Sequence, residues 1–330
     1  MHPAFSVLFL TTLIGAGQGL FLALFTGQIF QQFKLMPEQH DPNFYVIGSL
    51  VAVVLLALGL FASFFHLGHP ERAWRSAAMW RTSWLSREVI ALPITMVAIA
   101  AYGAAHYFNL THALFFTPGG TGVDATLLLG LFATVATYAL FVCTGMIYGC
   151  IRFLQEWHTP LTVINFILLG TASGFTLATA LSAWMGTELT HFYAGWAIFF
   201  TLAGFVFRLA SLVRNRNIKP KSDLKSAIGV RHSGVQQKAQ GSMGGSFNTR
   251  EYFHGKTATF VTAIKYIFLI LAFLVPLMLL ALSLGMSPSN TAFIVTAAAV
   301  ITQYLGLLAE RWYFFADANH PQNLYYQQIS

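Results

Sequence analysis

Long stretches of this chain pass twenty residues without an acidic or basic side chain, and runs of that kind restrict the fold more than any motif they contain. In the hydrocarbon core of a bilayer a backbone N–H or C=O finds no water to bond, so only helices and closed β-barrels cross it. A helix needs roughly 20 mainly apolar residues to do so, whereas a membrane barrel would show short segments of alternating polarity. The runs here are long and continuous. They predict an all-α, polytopic integral membrane bundle of eight spans, at 4–33, 45–65, 87–108, 124–149, 160–184, 191–213, 266–285 and 291–309. Charged residues make up 9% of the chain against about a quarter of an ordinary soluble domain, so most of its outer surface is suited to lipid. The first span is too long for the apolar core of a signal peptide and has no basic segment ahead of it, so it is expected to remain as an anchor.

Numbering the spans one to eight places the N-terminus, loops 2/3, 4/5 and 6/7 and the C-terminus on one face. That face receives every lysine and arginine except Lys34. Short basic loops resist translocation, so both termini are expected in the cytoplasm, with the chain in a bacterial inner membrane. A sequence pI near 9.5 would suggest nucleic acid in a soluble protein. Here the basic residues serve as topology determinants, and no nucleic-acid role is assigned. Arg208 and Lys265 fall near span ends, where long basic side chains are expected to snorkel to the interface. The chain reads as one transmembrane domain over 1–330, interrupted by a loop at 214–256 that begins basic and turns rich in Gly, Ser and Gln. Such a composition predicts flexibility. The loop reads either as a docking arm for a soluble partner or as a solvated linker beside anionic lipid.

Cys143 and Cys150 lie on one span, about 10.5 Å apart along a helix axis, too far for a disulfide. Two thiols also fall short of the four that an iron–sulfur cluster usually takes, so both are read as packing residues. The histidines gather toward the two faces, with none at mid-span, which argues against a haem held between helices. Gly15 and Gly19 form a small-xxx-small spacing that favours close helix contact, and Gln18 and Gln303 are expected to hydrogen-bond between helices.

The densest polar stretch joins the second and third spans. It reads His66-Leu67-Gly68-His69-Pro70-Glu71-Arg72, followed by Trp74, Arg75, Trp80, Arg81, Trp84, Ser86, Arg87 and Glu88. Gly68 and Pro70 suit a turn, and the tryptophans suit the interfacial aromatic belt. His66 and Glu88 are less easily explained by structure alone, because they sit where the spans meet the loop and can face each other beneath it. A histidine changes charge near neutrality, and a carboxylate at the membrane edge is costly unless paired or functional. Reducing a quinone takes two electrons and two protons, which requires hydrogen-bond partners for the ring oxygens and a route to water. A site at this edge offers both, and a satisfied interfacial network remains the competing reading. Arg152, which opens loop 4/5 ahead of Glu156, Trp157 and His158, lies on the same edge, as do Glu310 and Arg311.

The segment His66-Leu67-Gly68-x-Pro70-x-Arg72-Ala73 with Leu85-Ser86-x-Glu88, and less specifically Ala309-Glu310-x-x-x-Tyr313, resembles the membrane-anchor subunits of dimethyl-sulfoxide-reductase-type molybdenum enzymes. The resemblance implies a haem-free anchor that exchanges electrons with a membrane quinone, either ubiquinone or menaquinone. It also implies docking to an iron–sulfur subunit, which links the anchor to a molybdopterin catalytic subunit. His66 and Glu88 match positions implicated in quinol binding, and Arg72, Ser86 and Arg152 complete the candidate quinone-binding set. In the dimethyl-sulfoxide reductase the anchor's termini lie outside; the basic loops here point the other way. The chain is thus most similar to anchors of cytoplasm-facing, quinone-linked sulfite dehydrogenases. A quinol-oxidising reductase of S- or N-oxides is the alternative of the same class. A small-molecule transporter is the alternative of another class, disfavoured by the lack of an acid or base deep in the spans.

Overall fold

A computed structural model describes residues 1–36, 41–219, 223–235, 253–287, 289–321 and 323. Among these, eight helices are long and apolar enough to cross a membrane: Phe5–Gln32, Asn43–His66, Trp84–Tyr107, Ala125–Gly149, Pro160–Trp184, Thr190–Arg216, Ala258–Ser283 and Asn290–Ala316. Local chemistry sets several starts. Asp124 Oδ1 accepts from the Leu127 N–H at 2.8 Å and Ser289 Oγ from the Ala292 N–H at 3.2 Å, each meeting an N–H that lacks a partner within its helix. The fifth span opens on Thr159 followed by Pro160, a residue suited to the first helical position because its missing N–H is not needed there. The short antiparallel pair Phe115–Phe116 and Gly122–Val123 lies in the 3/4 loop.

The first and fifth helices form the centre. The first packs against the second, fourth, fifth and eighth, and the fifth against the fourth, sixth and eighth. Their backbones nearly touch. A Cβ on Gly174 would stand 1.9 Å from the Gly19 carbonyl carbon, and one on Gly19 would stand 2.1 Å from the Gly170 oxygen. The expected contact through Gly15 and Gly19 is therefore present, with glycines of the fifth helix as its counterpart. Lipid offers no hydrophobic drive for helices to associate, so close backbone approach is a main source of attraction. Side-chain amides add specificity, as expected: Gln18 Nε2 donates to the Thr137 carbonyl at 3.0 Å and Gln303 Nε2 to Thr201 Oγ1 at 3.1 Å. In the seventh span a widened turn at Ile270–Leu274 ends two residues before Pro276, the kind of local adjustment that accommodates a proline in a membrane helix. Gly306 of the eighth span fits against this turn, since a Cβ there would lie 2.1 Å from the Ala272 nitrogen.

The N-terminus, the segment that follows the eighth helix and the 4/5 loop meet on one face. The Met1 amino group donates to the Ala318 carbonyl at 2.9 Å, Trp157 Nε1 to the Phe314 carbonyl at 2.9 Å, and Arg214 Nη2 to the Gln155 carbonyl at 3.0 Å. These contacts bring Met1, loop 4/5 and the neighbouring ends of the sixth and eighth helices together. The Gly/Ser/Gln-rich part of loop 6/7 lies, from residue 236 to 252, outside the described residues.

Two expectations are corrected. The seventh helix starts at Ala258, not residue 266, and the eighth continues to Ala316 rather than stopping at 309. Arg208 does not snorkel: it is 3% exposed, with Nε 2.7 Å from Glu310 Oε1. Arg311 Nη1 stands 3.2 Å from Glu310 Oε2, and Glu310 is fully buried. Charges that mark helix ends when single are carried inside when they neutralise one another.

Candidate functional site

The third helix begins where Ser83 Oγ accepts the Ser86 N–H, and that start sets its register. Glu88, Leu92, Thr95, Ile99, Tyr102 and His106 follow at intervals of three or four and are all buried, as one face of an α-helix requires. Arg87 falls on the outer side. Its Nε donates to the Trp80 carbonyl at 2.9 Å and its Nη2 to the Arg81 carbonyl at 2.8 Å, while its guanidinium lies 4.2 Å from the Trp84 ring centroid. One arginine therefore clasps the end of the loop and holds Glu88 one position further on, turned inward.

From the other side the second span closes in the tight turn Phe64–His66, and a new helical segment, Pro70–Met79, starts on its proline. Between this turn, the third helix and the first lies a cavity of about 480 Å³, within the roughly 300–1,000 Å³ of small-molecule sites. Leu10, Ile14, Leu60 and Leu92 give it apolar walls, and His66, Arg72 and Glu88 supply polar groups. Pro93 also lines it; having no N–H, it leaves the Val89 carbonyl without its helical partner.

His66 and Glu88 reach the same cavity but do not bond to each other. Thr144 Oγ1, from the fourth helix, donates to Glu88 Oε1, and among the described residues this is the carboxylate's hydrogen-bond partner. Glu88 is 7% exposed, whereas His66 is open at the loop end of the cavity. Arg72 is also exposed, its Nε 3.7 Å from Glu71 Oε1. The same Glu71 oxygen is 3.0 Å from His69 Nδ1. Such exposed pairs contribute at most about 1 kcal/mol; they position the loop more than they stabilise it. Ser86 is buried two residues before Glu88 but is not among the lining residues. Arg152 is exposed on loop 4/5 and does not line the cavity.

A second polar region lies across the first helix. Arg208, Glu310 and Arg311 form the buried ionic cluster described above, and Arg311 additionally covers the Phe166 ring at 3.8 Å. Arg208 Nε and both Glu310 oxygens make these contacts by distance without hydrogen-bond alignment. Glu156 borders the cluster, and burial pushes its carboxyl above the usual glutamate range. Among the described residues no three His, Cys, Asp or Glu side chains gather as a metal site, and Cys143 and Cys150 are free thiols.

The family model for DMSO reductase anchor subunits (DmsC) matches residues 1–316. This chain belongs to that family. A sulfite dehydrogenase subunit from Allochromatium vinosum is 58% identical to it over 330 residues, spanning 100% of both chains. The matched region contains all eight spans, the cavity and the ionic cluster. A DmsC-family chain with this architecture is a multi-pass membrane anchor, and the family implies a molybdopterin-containing partner complex. Sequence reasoning passed over Pro93, which lines the cavity, and Thr144, which holds the Glu88 carboxylate from the fourth helix.

Proposed function

We propose that this chain is the haem-free, quinone-reactive anchor of a molybdopterin and iron–sulfur oxidoreductase, passing electrons from sulfite oxidation to the quinone pool of a bacterial inner membrane. The observation that carries the reading is the cavity itself: apolar walls for a prenylated ring, with His66 and Glu88 as groups that can bond its oxygens and exchange its protons. Quinone is an exchangeable substrate in this scheme. The molybdopterin and iron–sulfur centres belong to partner subunits and supply the electron chemistry, so the anchor never touches sulfite. Arg72 and Ser86 act around the site, Arg72 as a positive charge at its loop side and Ser86 by packing beneath Glu88. Arg152, exposed away from the cavity, fits a surface contact to a partner better than a quinone ligand. The relative's name, that of a sulfite dehydrogenase, supports sulfite as the partner's substrate. The family description supports the reverse flow, from quinol to an S- or N-oxide, through the same cavity.

A photoreactive azidoquinone irradiated with the purified complex is expected to label this chain within residues 60–93, and excess unlabelled quinone to suppress it. Labelling confined to residues that do not line the cavity would refute the assignment.

The basic face is assigned to the cytoplasm, with the catalytic partners docked there, because lysine and arginine resist translocation. Green fluorescent protein fused to the C-terminus should fluoresce and alkaline phosphatase fused there should be inactive. The opposite pair of results would reverse the orientation.

A further inference from the structure

Reduction of quinone forms two O–H bonds, consuming two electrons from the partner subunits' iron–sulfur centres and two protons from water; quinol oxidation reverses each transfer. His66 stands at the open end of the cavity, where a proton has a short path to solvent. Glu88 does not. It is buried at the inner end of the cavity, with Thr144 as its hydrogen-bond partner among the described residues.

We infer that Glu88 exchanges its proton with solvent through an internal polar passage, running from Thr144 past Arg311 and Glu310 to Glu156 on loop 4/5. This rests on the quinone reading of the cavity and adds the route that serves its buried oxygen. Thr144 has two roles: its hydroxyl donates to Glu88, and it lines a separate, small cavity of about 20 Å³. Thr12, Gln18, Ser173 and Arg311 supply polar groups to that cavity. Arg311 also lines a second one, of about 10 Å³, bounded by Glu156, Asn165, Arg208 and Glu310. A cavity needs about 10–15 Å³, and two to four polar partners, to hold a water molecule. Both cavities are at that scale, and each has several polar side chains in a lining that is otherwise apolar. Asn165 Oδ1 is buried and finds no hydrogen-bond donor among the described residues, so it is an acceptor a water can serve; the Glu310 oxygens face Arg208 and Arg311 in contacts that lack hydrogen-bond alignment. The passage thus contains a titratable group at each end, a hydroxyl that both donates and accepts, and room for single waters between.

Glu156 suits the outer end. It is half-buried on the loop, and its raised carboxyl affinity for protons comes from burial. The charged groups around it are the Met1 amino group, which burial lowers to about 5, Asp317, and Arg208, Glu310 and Arg311 of the cluster. His320, held below its usual range by burial, is close to the same amino group.

The test uses the intact purified complex with a short-chain quinone, comparing wild type, Thr144→Val and Glu156→Gln, with Glu156→Ala as the variant for chemical rescue. Thr144→Val keeps the shape and removes the hydroxyl; Glu156→Gln changes only the outer end. Both are expected to lower quinone turnover at least fivefold, to enlarge the solvent deuterium isotope effect, and to flatten the pH profile. Binding of a fluorescent quinone-site inhibitor should stay within twofold of wild type. Electron delivery from the catalytic partner to a soluble dye should be unchanged, and a small weak acid such as acetate should restore part of the turnover of Glu156→Ala. Wild-type turnover and isotope effect in both variants would overturn the passage and leave the quinone site standing. Failure of the wild-type complex to bind the inhibitor at all would overturn the quinone site, and the passage with it.

Discussion

Replacing Glu88 by glutamine is expected to lower the quinone turnover of the complex about 10²-fold or more while the complex stays assembled in the membrane. Glutamine keeps the side chain's shape and can still accept from Thr144 Oγ1, so packing at this buried position is preserved. What it loses is the exchangeable proton. General acid–base catalysis by a positioned group contributes typically 10²–10⁴-fold, and a 10²-fold loss corresponds to about 2.7 kcal/mol of barrier. Because proton transfer is realised in the transition state, the loss should fall on kcat with KM nearly unchanged. His66→Ala is expected to show a smaller loss, about tenfold, because water can replace an imidazole at the open end of the cavity but cannot easily reach Glu88. Unchanged quinone kinetics in both variants would make the chain a purely structural anchor. A larger loss for His66→Ala than for Glu88→Gln would reverse the roles given to the two groups.

The eight spans are legible because a bilayer imposes one requirement on every helix, a sustained apolar run, and such runs survive in the linear sequence. The errors fall where charge reads as a boundary. Lys265 and the pair Glu310–Arg311 make the last two helices look shorter than they are, because a charge inside a membrane span is expected to end it. That inference fails when another helix supplies the counter-charge, as Arg208 does for Glu310 at 2.7 Å, and a partner a hundred residues away is not visible locally. Glu88 and His66 stand out as ionisable groups at the membrane edge. Thr144 does not. Threonines abound in these spans, and many return their hydroxyl to a carbonyl four residues back, as Thr95 does to Ala91 and Thr176 to Ala172. Nothing in the sequence distinguishes Thr144, which instead reaches across to Glu88. Arg152 illustrates the opposite limit: charge patterning assigns a residue to a face but says nothing of its lateral distance from a site on that face.

The second large effect concerns stability, and the net charge of the ionic cluster decides its direction. Arg208, Glu310 and Arg311 together carry one positive charge, partly balanced by the Phe166 ring under Arg311 at 3.8 Å and the Phe268 ring near Arg208 at 5.5 Å. Removing Arg208 leaves Glu310 paired with Arg311. Removing the charge of Glu310 leaves two buried guanidinium groups facing each other without a counter-ion. Stranding a buried charge costs about 3–5 kcal/mol, whereas replacing part of a buried ionic group by a well-packed apolar side chain is often near neutral. Glu310→Gln is therefore expected to lower the thermal midpoint of the detergent-solubilised complex by much more than Arg208→Met does, although an arginine is the larger side chain and the greater loss of packing. Combining the two should recover part of the loss, since the double variant leaves a single arginine stacked on Phe166. Equal destabilisation by the two single changes would show that the cluster acts through shape alone. A greater loss for Arg208→Met would mean that the arginine, not the glutamate, is the group the fold depends on.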